Sequence, residues 1–205
     1  DEKAVEKIPN MYDYKYRRLF AYYKPLSEEE AKRGVIGLPR ALNMYENYPF
    51  WHGFLTALGY RVVLSRDSSR DLYEQGMAHI PSETACYPAK IVHGHIVELL
   101  EKGIEKIFYP SIFYEKKEHD MADNTMNCPV VVGYPDLIKN NMHELDDITY
   151  IHPMLSFDNE KALIKGLIEA FAPFGVTARE VRYAVGEAFA AQREYDNKIQ
   201  VEGKR

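Results

Sequence analysis

Short apolar runs alternate with amphipathic helical segments along most of this chain, and this alternation constrains the fold more than any other feature. The runs VIGLP (35–39) and RVVLS (61–65) each precede a segment with helical spacing of apolar residues, and KIFYPSI (106–112) follows such a segment. Continuous apolar strands separated by helices are typical of a parallel sheet that is covered on both faces. The pattern therefore predicts an α/β fold with a doubly wound, mostly parallel sheet and flanking helices.

The remaining elements follow the same reasoning. The runs CPVVVGYP (128–135) and ITYIHPML (148–155) are predicted strands. Predicted helices begin at the capping residues Ser68 or Ser69, Asp158 and Thr177. The last two helices close the chain after the final strand.

The chain divides by composition into an N-terminal arm, residues 1–33, and an α/β domain, residues 34–205. The arm is rich in tyrosine and lacks sustained periodicity, although Ser27 is placed to cap one helical turn. Two interpretations stay open: the arm lies over the domain surface, or it is a linker that packs on a neighbouring domain. Because the sequence begins at Asp1 and ends in a charged helical stretch, we expect it to be a fragment of a larger protein.

Composition and motifs narrow the function. A net charge of −5 gives no reason to expect a nucleic-acid partner, and no apolar run approaches the ~20 residues that span a membrane. Two cysteines do not make a disulfide framework, so we expect a reduced, cytoplasmic setting. The phosphate-binding patterns GxGxxG and GxxxxGK[ST] are absent, as are CxxC and HExxH. The HGH string at 93–95 is no metal pair, because residues two apart on a helix point about 200° apart.

Polar residues cluster where the predicted strands end, the edge at which open α/β sheets bind ligands. Cys86 precedes a helix, whose N-terminus would stabilise a thiolate, and Cys128 leads into a predicted strand. A cysteine that serves only as a small buried apolar residue remains the alternative for both. The other candidate residues at this rim are Ser111, Glu83, Asn43, Tyr45 and His152.

Five strings occur together in order: RGVIGLPRALNMYENYPFW, SETACYPAKIVHGHI, IFYPSIFYE, NCPVVVGYPDLIKNNM and HPMLSF. In these strings, over roughly residues 15–160, the chain resembles the 2-hydroxyacyl-CoA dehydratase-related domain of the CoA-substrate-specific enzyme activase family, formerly a domain of unknown function. The resemblance implies a Rossmann-like fold. It also implies ATP-hydrolysing activase domains in the same polypeptide, with an acyl-CoA dehydratase as a further partner.

The same resemblance implies a 4Fe–4S cluster used in ATP-driven electron transfer, with Cys86 and Cys128 as metal ligands. Ser111 stands where many relatives are expected to carry a third cysteine. Glu83, Asn43, Tyr45 and His152 are then residues of the substrate site or its surroundings. A serine hydroxyl is a harder and less acidic ligand than a thiol, so the departure at Ser111 weakens cluster binding. It stays open whether the isolated fragment holds any cofactor.

Three functions therefore stay open. The first is an iron–sulfur, dehydratase-like module that is inactive on its own. The second is a non-catalytic scaffold or interaction domain that has lost cluster binding. The third is a small-molecule binder that uses the crevice without a metal.

Overall fold

A computed structural model describes residues 10–117 and 119–204. The strands are β1 (Val35–Leu38), β2 (Arg61–Leu64), β3 (Lys106–Phe108), β4 (Ser111–Ile112), β5 (Thr149–Ile151) and β6 (Met154–Leu155). The helices are α1 (Met11–Phe20), α2 (Met44–Ala57), α3 (Arg70–Gly76), α4 (Tyr87–Glu101), α5 (Pro129–Asn141), α6 (Glu160–Phe171) and α7 (Ala178–Gly203). Short 3₁₀ turns occupy Met77–His79, His143–Asp146 and Ala172–Phe174.

Four strands form a parallel sheet in the order β2-β1-β3-β5. The chain first steps from β1 to β2 and then crosses back to β3 on the far side of β1. With right-handed crossovers, this reversal places α2 on one face of the sheet and α4 and α5 on the other. The packing agrees, since α2 lies against α7 while α4 lies against α3 and α5. The Rossmann-like, doubly wound fold predicted from the sequence is confirmed.

The chain segments that form β3 and β5 each continue past a proline into a second short strand. Pro110 and Pro153 interrupt the ladder, because a proline has no amide N–H to donate. Beyond them β4 pairs in parallel with β6, with Ser111 opposite Met154. The runs predicted as single strands at 106–112 and 148–155 are therefore each divided in two.

The predicted strand at 128–135 is wrong, because this segment is the first half of α5. Cys128 is the N-cap, with a non-helical ψ of 134°, and Pro129 starts the helix, where a missing N–H costs nothing. The valines that suggested a strand are only half-buried. The helix buries Tyr134, Pro135 and Ile138 instead. Packing on the domain has overridden the strand propensity of valine.

Helix starts follow the expected capping chemistry with one shift. The Ser69 and Thr177 hydroxyls accept from the backbone N–H groups of Leu72 and Glu180, and Thr177 forms a full capping box. The cap of α6 is Asn159 rather than Asp158. Ser27 and Glu30 exchange hydrogen bonds across a single turn, as expected for that stretch.

The segment 10–33 packs on the domain. Leu19 and Phe20, at the end of α1, are buried in the main core, and Tyr16 and Tyr23 pack against it. The proposed division of the chain at residue 33 stays a prediction, and residues 1–9 lie outside the described part.

Candidate functional site

The carboxyl-end rim of the sheet is built by three helix N-termini. Helices α2, α4 and α5 each run back from this rim toward the start of the next strand. Their N-cap residues are Asn43, Cys86 and Cys128. None of the three side chains accepts a hydrogen bond from its own helix. All three side chains therefore remain available for other partners.

Both cysteines are free and exposed, and each is the N-cap residue of a helix. Helices α4 and α5, which these two cysteines precede, contact each other. Burial raises the pKa of Tyr134, in α5, to about 12.

Ser111 is placed differently from the cysteines. It is 1% exposed, in a strand that packs against α5, and its Oγ has no hydrogen-bond partner among the described residues. Its backbone N–H donates to the Pro153 carbonyl oxygen. A buried hydroxyl without a partner is costly, so the position suits a less polar side chain better than it suits serine.

These donors do not form a complete ligand set for a 4Fe–4S cluster. Such clusters are usually held by four thiolates. In residues 10–117 and 119–204, no three His, Cys, Asp or Glu side chains gather as a group that could hold a metal ion. The chain offers two thiols and one hydroxyl at the rim, and the predicted convergence of Cys86, Cys128 and Ser111 stays a prediction.

Three other predicted rim residues each make local contacts of their own. Glu83 is exposed and its carboxylate lies 3.4 Å from Lys90 Nζ. Tyr45 packs against the α1 rings of Tyr16 and Phe20. His152 stacks on the ring of Tyr150, and its Nδ1 lies 3.0 Å from Asp136 Oδ1.

Asn43 faces a cleft of about 570 Å³, a volume within the usual range for small-molecule sites. The cleft lies at the point where strand order reverses, between the segments that follow β1 and β4. Its lining residues include Asn43, Asn47, Phe50, Glu115, Asn127, Phe157, Phe189 and Asp196. Ligands of open α/β sheets bind at this topological switch point. Because it lies at this switch point, we take the cleft as the candidate site.

Glu115 is the main functional candidate that sequence reasoning missed. Both of its carboxylate oxygens accept from Asn47 Nδ2, at 3.0 and 3.1 Å, and Oε1 also accepts from Asn127 Nδ2 at 2.8 Å. These hydrogen bonds connect α2, which contains Asn47, to the loop before α5, which contains Asn127. A signal was present, because Glu115 directly follows an apolar run in the string FYPSIFYE.

The HGH string faces two sides of α4, as its spacing predicts. The His95 ring nitrogens lie 2.7 and 2.9 Å from the hydroxyls of Ser65 and Ser68, and burial lowers the pKa of His95 to about 3. His93 contacts the Tyr134 ring edge-on, and burial lowers its pKa to about 4. Both rings are therefore neutral parts of the interior.

An open parallel sheet whose strand order reverses, with helices on both faces, defines a Rossmann-like α/β domain. Within that class, a family model described as "CoA enzyme activase uncharacterised domain" matches residues 35–205. The chain belongs to this CoA enzyme activase domain family. No curated protein and no solved structure matches the chain. No helix in the described residues is both long enough and apolar enough to cross a membrane.

Proposed function

We propose that this chain is a 2-hydroxyacyl-CoA dehydratase-like module of a CoA enzyme activase protein. The family match over residues 35–205 supports the activase part of this proposal, and the dehydratase-like part follows from the resemblance of the five sequence strings. In it, the module works in the cytoplasm with ATP-hydrolysing activase domains of the same polypeptide, and an acyl-CoA dehydratase is the further partner. Its role is in ATP-driven electron transfer, and the isolated module has no turnover of its own.

The rim cysteines are the residues that we assign to this role. Cys86 and Cys128 are exposed at helix N-termini, which suits thiolate ligands of an iron–sulfur cluster. When bound, such a cluster supplies one-electron chemistry. The chain lacks a full ligand set, so we expect weak binding that needs ligands from a partner.

A second candidate function is a scaffold or interaction domain that has lost cluster binding. The observation in its favour is Ser111, a buried hydroxyl at the position where the resemblance leads us to expect a cysteine. In this alternative, the fold and the rim remain but the thiols bind no iron.

Anaerobic incubation with ferrous iron and sulfide, followed by iron and sulfide analysis, separates the two. The first function predicts less than one cluster per chain in the parent, and loss of that binding in both Cys86→Ser and Cys128→Ser. Circular dichroism checks that the variants are folded. Iron binding that survives both substitutions would place the site elsewhere and defeat the first function. No binding by the parent, even with the activase domains present, would leave the scaffold function.

A further inference from the structure

The cleft at the strand-order reversal contains a side chain with an unmet hydrogen-bonding capacity. Asn43 is 7% exposed, and among the described residues neither its Oδ1 nor its Nδ2 has a hydrogen-bond partner. An amide buried without partners costs free energy in the unliganded protein. Such an orphaned group in a cleft points to a ligand that satisfies it.

In the described part of the chain, three helices have an asparagine as the N-cap residue, and Asn43 differs from the other two. The Asn10 and Asn159 side chains accept from backbone N–H groups of α1 and α6 and so serve as ordinary caps. At the start of α2 the N–H groups of Met44 and Tyr45 already donate to the carbonyls of Ala41 and Leu42. The Asn43 amide is therefore not used as a cap.

The backbone that presents Asn43 is also unusual. Leu42 has a φ of 48°, the one positive value outside glycine in the described part of the chain. A left-handed leucine is strained, and strain of this kind is found most often where structure serves a site.

The formal charges that line the cleft nearly cancel, because the carboxylates of Glu46, Glu115 and Asp196 face the cations Lys116 and Arg193, so no net charge selects an ionic ligand. The Glu115 carboxylate accepts hydrogen bonds from the side-chain amides of Asn47 and Asn127. Glu46 is paired with Lys15 at 2.8 Å. Asp196 accepts from Gln192, and burial raises the pKa of its carboxyl group.

The rest of the wall is apolar and aromatic. Phe50, Phe157 and Phe189 line the cleft together with Val131. Phe50 is 1% exposed and contacts the rings of both other phenylalanines. This rigid aromatic surface suits the apolar body of a small molecule.

We propose that the cleft binds a small neutral molecule with a carboxamide or lactam on an apolar body, and that this group pairs with the Asn43 amide through two hydrogen bonds. An amide offers one donor and one acceptor in the complementary arrangement. The site does not use Cys86 or Cys128, so the inference stands apart from iron binding.

Ligand-observed NMR with three matched probes tests the chemistry: phenylacetamide, methyl phenylacetate and phenylacetate. They share an aromatic body and differ in donor capacity and charge. We expect the amide to bind about tenfold more tightly than the ester, since one hydrogen bond to a buried group is lost. We expect the carboxylate to bind more weakly still. Equal affinity for amide and ester, or no detectable binding of the amide, would overturn the proposal.

Variants locate the binding. Asn43→Ala should reduce amide affinity at least tenfold while leaving the melting temperature of the free protein unchanged or higher, because an orphaned polar group is removed. Asn159→Ala is the matched control: it should bind the amide normally and melt at a lower temperature, since it loses a working cap. The Cys86→Ser, Cys128→Ser double variant should also bind normally, whatever its iron content. Unchanged amide binding in Asn43→Ala would show that the cleft does not use this residue.

Discussion

At the scale of single residues, His93 is the least expected side chain in this interior. It is fully buried, and neither ring nitrogen has a hydrogen-bond partner among the described residues. Its edge-on contact with Tyr134 is an aromatic contact that an apolar ring could also make. The histidine therefore makes stability depend on pH without contributing a hydrogen bond.

We predict that His93→Phe makes stability less sensitive to acid. The pKa of His93 is lowered to about 4, mainly by burial, against about 6.5 in the unfolded chain. Below pH 6.5 the unfolded state binds the proton first, so stability falls as the pH drops from 6.5 toward 4. Removing this group should reduce that slope by up to about 1.4 kcal/mol per pH unit.

Urea unfolding at several pH values between 7 and 4.5 measures this slope. His143→Phe is the control, because the His143 side chain is 95% exposed and its replacement leaves the buried histidines in place. Identical slopes for the parent and His93→Phe would mean that other groups set the acid sensitivity.

Asn43 and Tyr45 show what residue-level reasoning can and cannot predict. Both were placed at the rim because they follow β1, and only Asn43 lines the cleft. Residues two apart on a helix point to opposite sides, so a single cleft could not receive both. Which of the two faces inward depends on how α2 packs between α1 and α7, and no local pattern contains that information.

At the scale of elements, glycines allow the backbones of α3 and α4 to touch. Among the described glycines, those at this contact have the closest neighbouring atoms. A Cβ atom on Gly94 would lie 1.9 Å from the Leu72 carbonyl oxygen, and one on Gly76 would lie 2.2 Å from the Gly94 nitrogen. The middle residue of HGH thus allows two helices to touch, while the histidines on either side face away from each other.

We predict that Gly94→Ala destabilises the protein by at least about 2 kcal/mol, because the backbone of α3 must move to admit the methyl group. Gly186→Ala in α7 is the matched control, since its Cβ would meet nothing within 4 Å. Alanine there should raise stability by up to about 1 kcal/mol. Denaturant unfolding measures both, and a Gly94→Ala protein as stable as the parent would contradict this account of the α3–α4 contact.

The elements also show where sequence patterns stop being informative. Segments with helical periodicity, such as α2, α4 and α7, are predictable from their own residues. The run of valines after Cys128 was not, because β-branched residues suggest a strand and only the position of Pro129 pointed to a helix start. Tertiary packing decided between the two.

At the scale of the whole molecule, strand order creates the site. The sequence identified the polar segments that end the strands, but not that those after β1 and β4 would share one cleft. That juxtaposition follows from the reversal in the order β2-β1-β3-β5, which is a long-range property.

We propose that the rim derives from an iron–sulfur cluster site in which Ser111 replaces a cysteine ligand. Ser111→Cys should fold normally, since cysteine suits a buried site without hydrogen-bond partners. Ser27→Cys, in an exposed turn of the N-terminal segment, is the matched control for an added thiol.

Iron and sulfide content after anaerobic reconstitution of the parent, Ser111→Cys and Ser27→Cys is the most direct measurement. A thiolate matches iron–sulfur chemistry, whereas a serine hydroxyl must first lose a tightly held proton. We predict low occupancy in the parent and in Ser27→Cys, and a rise toward one cluster per chain in Ser111→Cys that is lost again when Cys86 is also replaced by serine. Equal occupancy in all three proteins, or a gain that does not require Cys86, would contradict the account.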